Sequence, residues 1–93
     1  MKKAKYAVGD LVMVNWRDAA GASGWMSEED ITDWIPPDVQ TVGWVIVVDK
    51  RYIVVCDTIS DGHQQHSRFA GTTAIPLSWA ETVIILKRKD KKI

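Results

Sequence analysis

Apolar and polar positions follow a two-residue rhythm from Leu11 to Trp16, L-V-M-V-N-W, directly after the turn signal Gly9-Asp10. Val12, Val14 and Trp16 fall on one side and Leu11, Met13 and Asn15 on the other, which predicts a first strand whose two sides are both largely apolar. A denser pattern runs from Thr41 to Asp57, T-V-G-W-V-I-V-V-D-K-R-Y-I-V-V-C-D. Its β-branched residues suit a pleated surface better than a helix, and it carries no 3.6-residue stripe. The run predicts a β-hairpin turning at Asp49-Lys50-Arg51, with Val42, Trp44, Ile46 and Val48 on one face. This hairpin is the expected core. Gly43 inside it predicts a bulge or a close backbone approach, such as a position beneath a tryptophan.

Between these strands the pattern changes. Residues 17–24 are small and glycine-rich, a composition that builds a loop. Ser27 stands three positions before Asp30, the spacing of a capping box, with Met26 and Ile31 placed as a hydrophobic staple. Glu28, Glu29 and Asp30 favour the positive end of a helix dipole, and Pro36-Pro37 stop whatever precedes them. A short helix over about residues 28–34 follows, too short to stand alone and expected to dock through Ile31 and Trp34. Asp38 to Gln40 is then a connector. Beyond the hairpin, Thr58 to Gly71 has an Asp61-Gly62 turn and little apolar material, and reads as a long loop. Thr72 to Ile75 predicts a short strand, Leu77 to Ala80 a 3₁₀ turn that presents Trp79, and Glu81 to Leu86 the last strand.

About five strands with one short helix inserted between the first two give an all-β fold. A flat sheet of this size would bury little surface and leave its edges open, so curling into a small, partly open barrel is the economical solution. The order of a long first loop, a short central hairpin and a 3₁₀ turn before the final strand resembles an SH3-like barrel. Ninety-three residues make one domain. Its ordered body is expected over about residues 6–87, followed by a basic tail, 88–93. Five tryptophans allow a thin core to be filled by few side chains.

A set of short motifs spread from Val8 to Leu86 is also similar to small uncharacterised proteins of phages and prophages. They are Val8-Gly9-Asp10, Asn15-Trp16-Arg17-Asp18-Ala19, Gly24-Trp25, Thr41-Val42-Gly43-Trp44, Ser60-Asp61-Gly62 and Ile75-Pro76. The resemblance implies a cytosolic, virus-encoded protein and brings no catalytic residues with it.

Charge changes the picture in one respect. The net charge is zero, but Asp10 to Asp49 contains eight acidic residues against the single base Arg17, while lysines crowd both ends. An acidic body with basic ends is a poor footprint for a phosphate backbone, so nucleic acid is not an expected partner. No run approaches 18 apolar residues and the start lacks the apolar stretch of a signal peptide, which predicts neither a membrane span nor export, and hence a cytoplasmic protein. Cys56, the one cysteine, rules out an internal disulfide and reads as a buried small hydrophobe.

Candidate chemistry is sparse. His63 and His66 near Asp57 and Asp61 have imidazole and carboxylate in reach of a metal, but no cysteine joins them, and exposed loop histidines are the simpler reading. Cys56 has no helix N-terminus after it to activate a thiolate. No phosphate-binding glycine motif exists. The chain therefore reads as non-enzymatic, with no catalytic residues, metal or cofactor. Trp25, Trp34 and Trp79 lie outside strand interiors, where they either seal the barrel ends or form a recognition surface. Arg17 and Arg68, one in each long loop, are the only bases of residues 6–86 outside the hairpin turn. The expected function is a binding or interaction module, self-associating through exposed strand edges or engaging a protein partner. The alternative is a protein that binds or sequesters a small nucleotide through Arg17, Arg68 and Trp25.

Overall fold

The computed structural model describes residues 5–19, 25–32, 35–60 and 68–89, the side chains of Asp30 and Ile31 excepted. The chain is all-β. Five strands, β1 (Leu11–Arg17), β2 (Asp38–Val48), β3 (Tyr52–Ile59), β4 (Phe69–Pro76) and β5 (Ala80–Lys87), form one antiparallel sheet in the order β4-β3-β2-β1-β5. The only helical element described is the five-residue α1 (Glu28–Thr32) between β1 and β2. The two outer strands β4 and β5 do not pair with each other, so the sheet is open.

β1 behaves as its alternation dictates. Val12 and Val14 are fully buried and Trp16 nearly so, while Leu11, Met13 and Asn15 are half-buried on the other face. These three inner residues join Val45, Ile53, Val55, Ile75, Ala80 and Val83 in one core cluster. Cys56 is buried as well.

β2 corrects the sequence reading in two ways. It starts at Asp38, because residues 38–40 continue the ladder with β1 (Arg17↔Asp38, Trp16↔Val39, Asn15↔Gln40) and do not form a connector. Its buried side is Gly43 and Val45, whereas Val42 and Val48 are about half exposed. Val42 and Trp44 lie on the face away from the core, and a bulge between Val45 and Val47 breaks the simple alternation beyond them. Trp44 sits in both ladders, opposite Leu11 of β1 and opposite Cys56 of β3. β2 thus hands over from one neighbour to the other at this point. Gly43 permits the handover. A Cβ there would lie 2.6 Å from the carbonyl oxygen of Cys56, so the close approach is to β3 backbone and not to a tryptophan.

The long loop read over Thr58–Gly71 is shorter than expected. β3 continues to Ile59 and β4 begins at Phe69, with Ile59 opposite Phe69 and Ser60 N donating to Arg68 O at 2.7 Å. These strand ends run past the β2–β3 ladder and are exposed on both faces, which is why no hydrophobic pattern announced them. The turn between β4 and β5 closes through Trp79 N to Pro76 O (3.0 Å) and Ala80 N to Leu77 O (3.2 Å).

The start of the basic tail is also anchored. Lys89 N donates to Asp10 Oδ1 at 2.8 Å, and Arg88 reaches Lys5 O at 2.9 Å and Asp10 Oδ2 at 3.4 Å.

Burial of Cys56 has a simple consequence. Desolvation pushes its thiol pKa up, Asp57 adds to this, and a hydrogen bond with the Thr58 backbone opposes both. The native thiol should react with a disulfide reagent about a thousandfold more slowly than the thiol of the urea-unfolded chain, since modification requires opening of β3. Labelling at the same rate in both states would mean that β3 is not buried at this position.

Candidate functional site

Concave surface gathers where β1 ends and β5 begins. Arg17 N donates to Trp79 O at 3.1 Å, and Asp18 N donates to Pro37 O at 3.1 Å, so the base of the first loop is tied to both the Trp79 turn and the approach to β2. Two clefts flank this knot. One, of about 680 Å³, is lined by Asn15, Trp16, Asp38, Val39, Gln40, Glu81 and Thr82. The other, of about 430 Å³, lies between the first loop and the turn, with Ala19, Pro36, Trp79 and Ala80 as apolar surface and Arg17, Asp18, Ser78 and Glu81 around it.

The clefts differ in what they offer. In the larger, Asn15 Nδ2 already donates to Thr82 Oγ1 at 2.8 Å, and the Asp38 carboxylate is taken up by Arg17. The smaller has a rigid aromatic wall. Trp79 stacks on Trp16 with ring centroids 6.3 Å apart and planes 15° from parallel. Trp16 is itself fixed by its indole N–H, which donates to Thr41 Oγ1 at 3.0 Å. A stacked, hydrogen-bonded indole pair of this kind presents apolar area with little freedom left to lose on binding.

The rim is acidic. Arg17 Nε meets Asp38 Oδ1 at 2.9 Å and Glu81 Oε2 at 4.0 Å. The hydrogen bond and charge of Asp38, followed by the charge of Glu81, raise the Arg17 pKa further and hold its cation in place. Two carboxylates, Asp38 and Glu81, thus flank one guanidinium, and Asp18 lines the smaller cleft beside Arg17 and Glu81.

Of the residues singled out from sequence, Arg17 and Trp79 meet in the smaller cleft. Trp25 is fully exposed and lines neither cleft. Arg68 lies on the β3–β4 hairpin, where its guanidinium stacks over Phe69 at 5.3 Å and its Nε donates to Ser60 O at 3.2 Å; it too lines neither cleft. Trp34, His63 and His66 lie outside the described residues. Sequence reasoning passed over Asp38 and Glu81. The usable signal for Glu81 was its place two residues after Trp79, at the mouth of the last strand.

Among the described residues no group of three His, Cys, Asp or Glu side chains converges as a metal site, and no helix is long and apolar enough to cross a membrane. Comparison with protein-family models, with curated proteins and with solved structures finds no match to this chain.

Proposed function

We propose that the chain is a small SH3-like barrel acting as a non-enzymatic interaction module, of the kind phages and prophages encode, and that the Trp79 groove receives a segment of a protein partner. The barrel reading draws support from the strand order, from a β2 that serves two ladders, and from the three-residue turn joining the edge strands β4 and β5. Leu77 N donates to Arg51 O at 2.8 Å, which draws this turn against the β2–β3 hairpin.

The observation that carries the functional reading is the pairing of an immobilised indole wall with an acidic rim. Apolar area supplies affinity, and Asp18 and Glu81, which line the groove, select for positive charge. The fitting occupant is an extended peptide segment bearing lysine or arginine. A nucleotide fits less well. Its phosphate would have to displace Asp38 and Glu81 from Arg17, and Arg68 does not line the groove.

The test is amide and indole NMR on the labelled chain, titrated with short Lys- and Arg-bearing peptides containing proline, and separately with adenosine and guanosine nucleotides. The expected shifts cluster on Arg17, Asp18, the Trp79 indole and Glu81 with the peptides alone. Trp79→Ala should weaken peptide binding by about tenfold or more. Shifts at Arg17 and Trp79 produced by nucleotides and not by peptides would overturn the reading.

A further inference from the structure

We propose that Arg17 is a built-in competitor for the cation site of the Trp79 groove, and that Asp38 keeps this site open by holding Arg17 to one side. The inference rests on the groove reading above and assigns the residues that set its charge preference.

The register of β5 singles out Glu81. Asn15 lies opposite Thr82 but Trp16 lies opposite Ala80, so Glu81 is one extra residue in β5, with no partner of its own on β1. Such a bulge turns its side chain out of the regular alternation, and bulges recur beside functional sites for that reason. Glu81 accordingly lines both clefts, whereas Asp38 lines only the larger and Arg17 only the smaller. Asp18 lines the groove too, but it is Glu81 that Arg17 approaches. Glu81 is thus the carboxylate for which a bound cation and Arg17 compete.

Arg17 stands between carboxylates on two neighbouring strands. Its backbone is fixed, since it pairs with Asp38 across the β1–β2 ladder and its N–H donates to Trp79 O at 3.1 Å. Its side chain is held unequally on the two sides. Nε donates to Asp38 Oδ1 at 2.9 Å, a direct hydrogen bond, while Glu81 Oε2 is 4.0 Å away, at the limit of an ion pair. The guanidinium is therefore committed to Asp38, which does not line the groove, and Glu81 keeps most of its charge for a ligand. All three side chains are more than half exposed, so each contact is weak and screened by water. Two weak contacts of one cation are close in energy, and loss of either carboxylate sends Arg17 to the other. Asp38 acts on the groove only through Arg17 and is a positioning residue.

Two readouts test this. In the chain without ligand, the Arg17 Nε–H proton should show NMR contacts to the Asp38 methylene, and Asp38→Ala should move them to the Glu81 side chain. With ligand, the probes are a proline-containing peptide carrying one arginine and the same peptide with citrulline, its uncharged isostere. Binding is followed at the Trp79 indole resonance, and the ratio of the two dissociation constants reads charge preference alone. The wild-type ratio should be about fivefold and should fall to about twofold or less in Glu81→Gln. Arg17→Gln should raise it by about two- to fivefold. Asp38→Ala should lower it by about the same factor when Arg17 is present and change it little in an Arg17→Gln chain. Simple loss of a negative charge would lower it equally in both. An equal drop in both chains, or an Asp38→Ala chain whose Arg17 Nε–H makes no contact with Glu81, would overturn the proposal. Peptides that shift Trp79 with a ratio unmoved by Arg17→Gln would sink it alone. Failure of both peptides to shift Trp79 would remove the groove reading, and this inference with it.

Discussion

Gly43→Ala should lower the stability of this chain by about 1–3 kcal/mol, although it adds only a methyl group. The added Cβ would stand 2.6 Å from the carbonyl oxygen of Cys56, 3.0 Å from its carbon and 3.2 Å from its amide nitrogen. All three atoms are backbone, so no side-chain rotation relieves the contact and β3 itself must shift. That shift lands at the worst place. Trp44, the next residue, holds the ladders of β1 and β3 together, and β3 carries Ile53 and Val55 into the core. With a urea slope of about 1–1.5 kcal/mol per molar for a domain of this size, the denaturation midpoint should fall by about 1–2 M. Val42→Ala, one residue away on the exposed face, is the control and should stay within about 0.5 kcal/mol of wild type. A Gly43→Ala midpoint equal to that control would mean that β2 and β3 do not approach so closely, and the handover of β2 between its neighbours would need another explanation.

Gly43 also marks how far the sequence could be read. A glycine amid β-branched residues announces that something comes close, but the approaching strand is named only by tertiary structure. β1 was legible to within a residue, since one register of apolar alternation served its whole length. β2 was not. It pairs with β1 through its first part and with β3 through its second, and the bulge between Val45 and Val47 resets the alternation. A fixed period of two therefore put Val42 and Val48 on one face, whereas Val42 pairs with outer Met13 and Val48, beyond the bulge, with buried Ile53. The ends of β3 and β4 were missed for a different reason. Asp57, Thr58, Ile59, Phe69, Ala70 and Gly71 are paired with one another yet exposed, so backbone hydrogen bonding, which leaves no trace in hydrophobicity, holds them.

The site was legible in part. Arg17 and Trp79 were both singled out, but their meeting depends on β5 pairing beside β1, a contact between distant parts of the chain. Asp38 and Glu81 were passed over because acidic residues outside a helix N-terminus carry no pattern. Asp38 and Glu81 acquire meaning only through Arg17. Trp25, by contrast, stood out by residue type alone and lines neither cleft.

Removing the carboxylate of Asp10 should have the other large effect, and it should be pH-dependent. Asp10 is 2% exposed, yet its oxygens are well occupied: Oδ1 accepts from Lys89 N at 2.8 Å and Oδ2 from Ala7 N at 3.0 Å. The amide of Lys89, then that of Ala7, hold its pKa below the ordinary carboxylate value; burial opposes them, and Arg88 adds a smaller favourable interaction. The folded chain therefore binds this proton less readily than the unfolded chain. Above the unfolded value, near 3.8, the stabilisation is fully present, and it is lost as pH falls through that value toward the folded one. Asp10→Ala strips three donors of their acceptor and frees both the segment before β1 and the segment after β5. At neutral pH its melting temperature should fall by roughly 10 °C. Asp10→Asn keeps an acceptor oxygen but no charge, and should lose less. The decisive measurement is the melting temperature of wild type and Asp10→Asn from pH 7 down to pH 2. The wild-type curve should drop more steeply below about pH 5 and approach the variant once Asp10 is protonated. Parallel curves would show that the Asp10 pKa is not lowered in the folded chain, and that the amides of Lys89 and Ala7 do not favour its charged form.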